Sequence, residues 1–268
     1  MSTIKIGLAG WGFRQLTIRE YFDAAARLGL PMLELNCRPD VLAHAWVDFS
    51  QDDLSEILDC AATGHIEIVA LSARNDFTHA DPTQLNSQAA QLRRIIESAA
   101  HLKARFVRVL IGQDPQPSQA VRESALRKLQ EAGKFAETLG LKLALENGTG
   151  PLLRADDCLE VLHGLSAFPI GLVYNPANFA RHGEDPVQAL TKLAKHVCYS
   201  HLADWDGQEV CPVGKGQINF PALLGLLSQS DADVALIEYP HPDDIELGTA
   251  ASHKKLTSLL RALARKQN

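Results

Sequence analysis

The 268-residue chain has no excess of basic charge, no paired-cysteine motif and no long apolar run. Its formal net charge is −6, so it lacks the basic stripe that phosphate neutralisation demands, and a nucleic-acid partner is not expected. The five cysteines (37, 60, 158, 198 and 211) form no CxxC pair and are odd in number, which argues against a disulfide framework or a zinc knot. Cys37 and Cys198 lie in or beside apolar runs, where a thiol behaves as a small hydrophobe. No stretch approaches the roughly 20 apolar residues that span a bilayer. Residues 1–6 lack the basic-then-apolar pattern of a signal peptide, so a soluble, cytoplasmic protein with no membrane partner is expected. Nothing inside the chain reads as a linker, and residues 1–268 are expected to form one domain.

What is present is alternation. Short apolar runs are predicted as strands at 4–9, 32–36, 66–72, 106–111, 141–146, 170–175, 197–201 and 234–238. Helical patterns fall between and after them at 18–28, 54–62, 84–102, 119–139, 156–165, 186–195, 220–227 and 247–263. Asp81-Pro82 and Asp185-Pro186 read as an N-cap followed by a first-turn proline, and Gly29, Gly64 and Gly140 as helix C-terminal glycines. In the helix at 119–139, Val121, Ala125, Leu129, Ala132, Ala136 and Leu139 share one face, with Glu123, Arg127, Gln130, Lys134 and Glu137 opposite. Eight such βα units of about 33 residues suit either a (β/α)8 TIM barrel or an open doubly wound sheet. Gly7, Gly10 and Gly12 do not have the dinucleotide-fingerprint spacing, which favours the α/β barrel.

Barrel enzymes carry their chemistry at strand C-termini. Here four predicted strands end in Glu146, Asn175, His201 and Glu238. Carboxylates directly after apolar strands are costly unless partnered, and a divalent cation would partner all of these groups together. Each residue taken singly could equally be a solvated loop residue.

The motifs around these positions resemble the xylose isomerase-like family of sugar isomerases and epimerases. Leu143-Ala-Leu-Glu-Asn147 is similar to the family's fifth-strand motif, Tyr174-Asn-Pro-Ala-Asn178 to its Asp-Pro-Ala-Asn motif, and Ser200-His-Leu-Ala-Asp204 to its His-x-Lys-Asp segment. Gly214-Lys-Gly-Gln-Ile-Asn-Phe220 resembles the following Gly-x-Gly-x-Ile-Asp-Phe run, Ala235-Leu-Ile-Glu238 the last strand, and Met32-Leu-Glu-Leu35 the second-strand motif. The resemblance implies a divalent metal held by Glu146, Asn175, His201 and Glu238, with Glu146 and Glu238 as the catalytic acid/base pair. It further implies proton abstraction beside a carbonyl of a small sugar or polyol, through an enediolate. Oxygen ligands with one imidazole suit Mn²⁺ first, with Mg²⁺, Co²⁺ or Zn²⁺ as alternatives. A homo-oligomer is compatible with this reading.

The chain departs from the family at Asn175, where Asp is usual. The loss of one anion predicts weaker metal binding, or none, in which case the barrel would bind sugar without metal. Ala203 replaces a family Lys, while Gly207 and Asn178 stand where ketose 3-epimerases carry Arg and His, which points away from free ketoses. A dehydratase acting on an inosose or dehydroshikimate shares the first proton abstraction and remains an alternative. The related apurinic endonucleases need further His ligands, where this chain has Ser72-Ala-Arg74 and Leu110-Ile-Gly112.

Several other residues are read as substrate-binding. Glu34 could touch substrate or form an internal salt bridge, and Trp11 could wall the pocket or simply pack. Arg74 could bind an anionic group or pair with Asp76, and Lys215 belongs to a Gly-Lys-Gly turn where barrels often hold phosphate. Asn178, Asp204 and His241 complete the rim, the last two as supports for the ligands.

Overall fold

The computed structural model describes residues 4–37 and 50–267; residues 1–3 of the N-terminal segment considered above lie outside them. Ten strands occur there: β1 (Lys5–Leu8), β2 (Met32–Cys37), β3 (Glu67–Ala73), β4 (Phe106–Val109), β5 (Lys142–Glu146), β6 (Ile170–Tyr174), β7 (Val197–Leu202), β8 (Asp204–Trp205), β9 (Val210–Cys211) and β10 (Val234–Ile237). Eight of them close a parallel barrel in the order β1-β10-β7-β6-β5-β4-β3-β2, while β8 and β9 form a separate antiparallel pair. The helices are α1 (Ile18–Arg27), α2 (Gln51–Gly64), α3 (Pro82–His101), α4 (Gln119–Thr138), α5 (Ala155–Gly164), α6 (Pro176–Arg181), α7 (Pro186–Leu193), α8 (Phe220–Leu227) and α9 (Ile245–Gln267). The chain is thus a (β/α)8 barrel, and all eight predicted strands are found in it.

Parity along the strands builds the interior. Outward residues such as Leu33, Leu35, Val107 and Leu145 pack in the large core under the helices. Inward residues form a smaller cluster that includes Met32, Phe106, Ala144, Val173, Tyr199, Val234 and Leu236. Two positions further toward the strand C-termini, the same parity delivers Glu34, Arg108, Glu146, Asn175, His201 and Glu238. The barrel therefore has an apolar floor and an ionic top.

At the opposite end, Arg105 holds Asp233 through two bonds, Nη1 to Oδ2 at 3.1 Å and Nη2 to Oδ1 at 2.7 Å. These residues precede β4 and β10, which are not neighbours in the barrel.

Asp81 and Asp185 cap their helices as expected, Asp81 accepting from Thr83 N–H and Asp185 from Val187 and Gln188 N–H, each just past a first-turn proline. Gly29 and Gly140 take the left-handed conformation, with φ of 67° and 72°. Gly64 does not: α2 runs through it, and His65 ends the helix at φ 50°. In α4 the buried stripe is Ala125, Leu129, Gly133 and Ala136, and Leu139 is exposed rather than buried. Gly133 sits against Ile170, where an added Cβ would come within 2.9 Å of its side chain, so a glycine with no hydropathy signal marks a close approach. The short helix α6 and the β8–β9 pair were not predicted.

Candidate active site

The ionic top is a network built on Arg108. Its side chain, 5 % exposed, lies in register beside Ser72 of β3 and Ala144 of β5. Arg108 Nε donates to Glu34 Oε1 at 3.2 Å, Nη1 donates to Glu146 Oε2, and Nη2 donates to Ser72 Oγ. Tyr199 donates its hydroxyl to Glu34 Oε2 at 2.6 Å. His201, fully buried, stands between the acids: Nε2 is 3.1 Å from Glu34 Oε2, while Nδ1 is 3.2 Å from Glu146 Oε1 and 3.5 Å from Glu238 Oε1.

The charges tune one another. Burial alone would raise the Glu146 carboxyl, but Arg108 and His201 outweigh it and hold it down to about 2. Burial would likewise raise Glu34, yet His201 and Arg108 keep it below the usual carboxylate range. Burial opposes charge on His201, but Glu34, Glu238 and Glu146 together lift it well above an ordinary imidazole. Tyr199 is pushed up by burial and by Glu34, so it serves as a neutral donor.

Asn175 faces two ways. It is the N-cap of α6, with Oδ1 accepting from Asn178 N–H at 3.4 Å. A backbone N–H can only donate, so this bond assigns the oxygen and turns the amide nitrogen toward the acids. Nδ2 donates to Glu238 Oε2 at 2.8 Å and approaches Glu146 Oε1 at 3.4 Å.

A cavity of about 210 Å³ opens above the network. Of the residues singled out in the sequence, Trp11, Arg74, Glu146, Asn175, Asn178 and Glu238 line it. Arg74 stacks on Trp11 with its guanidinium carbon 4.6 Å from the ring centre. Glu34 and His201 lie beneath, and Glu34 makes the internal salt bridge.

Asp204 and Lys215 do not line the cavity. Asp204 is fully buried, and its carboxylate accepts from the N–H groups of Trp205, Gly214, Gly216 and Ile218, which organises the loop after β7. Lys215 is exposed in that loop. His241 bonds the carbonyl of Val210 through Nε2 at 2.7 Å. A larger groove of about 710 Å³ runs along α1 and α9, but its lining carries no carboxylate and it is far from the strand C-termini in the fold.

Sequence reasoning missed Arg108, Thr149 and Arg181, all of which line the cavity. For Arg108 a signal existed: a cation inside the apolar strand Phe106–Val109 is as costly as Glu34 inside β2, and two opposite misfits on neighbouring strands imply each other.

Glu146, His201 and Glu238 each offer one ligand atom, and the three atoms lie within 4.8 Å of one another. This donor set fits a divalent cation: two carboxylates and one imidazole whose far nitrogen is oriented by a further carboxylate, leaving open positions. The cluster is a possible metal site, and it lies at the strand C-termini, where barrel enzymes carry their chemistry.

Comparison with known proteins gives the family. The family model described as xylose isomerase-like TIM barrel matches residues 22–262, and the chain belongs to that family. Among curated proteins, the rhizopine catabolism protein MocC of Rhizobium meliloti is 24% identical over 94 residues, which is 35% of this chain and 29% of that protein. Solved structures share the fold, among them the following three. A D-tagatose 3-epimerase-like protein has a TM-score of 0.83 at 18% identity, covering 99% of this chain and 100% of that one. The IOLI protein with a bound zinc atom has 0.79 at 21%, covering 96% and 98%. The probable 3-DHS dehydratase AsbF of Bacillus anthracis has 0.80 at 17%, covering 95% and 99%.

Proposed function

We propose that the barrel mouth is the active site of a sugar isomerase or epimerase that moves a proton beside the carbonyl of a small sugar or sugar-like polyol. The observation that carries this reading is the pairing of Glu146 and Glu238 in one cavity, both facing Nδ1 of His201, in unlike environments. Two carboxylates so separated can divide acid and base work. Glu146 is held as an anion by Arg108, His201 and Asn175, which suits it to the base's part of that division. Glu238 is half-buried and lines the cavity, with room to carry a proton to substrate.

Glu146, His201 and Glu238 would hold the metal, Mn²⁺ in the first instance, and Asn175 would act toward it as a donor that trims the acids' charge rather than as a ligand. Such an ion supplies Lewis-acid stabilisation of the oxyanion formed at the carbonyl. Trp11 and Asn178 would position the polyol, while Arg108 and Tyr199 hold Glu34, and through it His201, in place.

A dehydratase reading is supported by the likeness to AsbF and by the shared first step. Incubation of the Mn²⁺-loaded protein with a panel of keto-polyols in deuterated water separates the two. Deuterium uptake with isomeric product is expected; uptake with loss of water selects the lyase; and no exchange with any member of the panel sinks both.

A further inference from the structure

We infer that the β5/β6 side of the cavity is a subsite for an anionic group on the substrate, a carboxylate or a phosphate, received by Thr149 and Arg181. This rests on the reading that substrate occupies the cavity, and it narrows the substrate from polyols in general to anionic ones.

The subsite is built by a turn. Gly148, Thr149 and Gly150 follow β5, with φ of 98° and 52° at the two glycines, a conformation that side chains disfavour. Gly148 also has no room for a side chain, because a Cβ there would come within 2.6 Å of Asn178 Nδ2. Gly148 N–H donates to Leu152 carbonyl at 2.7 Å, and Asn178 Nδ2 donates to Asn147 carbonyl at 2.8 Å, which pins the turn against α6. The outcome is a Thr149 side chain in the cavity wall whose hydroxyl is buried and has no hydrogen-bond partner. A buried hydroxyl left unmet on a residue of the cavity wall lacks a partner that a ligand atom can supply once the side chain turns toward the cavity.

Arg181 ends α6 and lines the same cavity. Among the described residues its guanidinium makes one long contact, Nη2 to Gly148 carbonyl at 3.4 Å, and no ion pair with an acid. Arg108, by contrast, is consumed by Glu34 and Glu146. Arg74 adds positive potential from the wall that carries Trp11. A neutral hydroxyl would satisfy Thr149 but would not match the forked donors of Arg181. Two or more oxygens on one atom match both. Because Glu238 follows β10, which β7 and β6 separate from β5, the two ends of one small substrate would meet opposite chemistry: carbonyl toward Glu238, anion toward Arg181.

The test is calorimetric titration with D-glycerate, inorganic phosphate and glycerol, on wild type, Arg181→Gln, Arg181→Lys and Thr149→Val. At least one anion is expected to bind wild type while glycerol does not. Arg181→Gln should weaken that binding about tenfold, and Arg181→Lys less, as expected of a forked charge-assisted contact. Thr149→Val should weaken it without changing the melting temperature. The tighter of glycerate and phosphate identifies the group. Failure of both anions to bind wild type, or equal binding by Arg181→Gln, overturns the subsite. Anion binding without solvent exchange on any keto-polyol would keep the subsite and remove the proton-transfer reading. Exchange confined to neutral substrates would do the reverse.

Discussion

At position 175 a single amide decides the electrostatic character of the centre. Its oxygen is committed to capping α6, so the acids receive an N–H where an aspartate would have added a third anion. Asn175→Asp restores that anion and removes the donor. Mn²⁺ affinity is expected to rise about tenfold or more in calorimetric titration, because ligand charge sets cation affinity; unchanged affinity would mean that residue 175 does not face the ion.

Arg108 is the other decisive residue. Its removal leaves Glu34 and Glu146 buried without their counter-charge, which costs roughly 3–5 kcal/mol. Arg108→Met should therefore lower the urea midpoint strongly, and a loss below about 1 kcal/mol would contradict the network described above. Glu146 and Glu238 were legible in the sequence because they follow apolar strands. Arg108 was not, since its partners lie on β2 and β5 and only strand pairing brings them together.

At the scale of elements, every barrel strand was readable from its apolar run, because a strand buried on both faces needs a continuous one. The short helix α6 was not, having six residues and no periodicity to show. Neither was the β8–β9 pair, two residues a side, which depends on Asp204 rather than on any pattern of its own. The family resemblance at Ser200-His-Leu-Ala-Asp204 placed Asp204 correctly on the chain but suggested the cavity; the structure turns it into the loop. Asp204→Ala removes a charged acceptor from four backbone N–H groups. A loss on the order of 2 kcal/mol or more is expected. Faster amide exchange over 205–218, with Mn²⁺ binding retained, would confirm that its work is in the loop; unchanged exchange would refute it.

For the molecule as a whole, the Arg105–Asp233 clasp ties β4 to β10 at the end opposite the ionic top. Its bond from Arg105 holds the Asp233 carboxyl below its ordinary value. The clasp therefore contributes fully above the unfolded value of about 3.9 and is lost as pH falls through the folded one. Asp233→Asn should flatten the stability profile between about pH 5 and 2 in urea titrations and change nothing in Mn²⁺ binding. An acid limb identical to wild type would show the clasp to be idle.

The ionic top also has a bearing on how the barrel divides. Glu34 and Arg108 belong to the first four strands, whereas Glu146, Tyr199, His201 and Glu238 belong to the rest. The links Arg108–Glu146, Glu34–His201 and Glu34–Tyr199 all cross that divide. Each half-barrel alone would present charges shaped for the other, so the ionic top is also the seam along which two fragments of this chain would recognise each other.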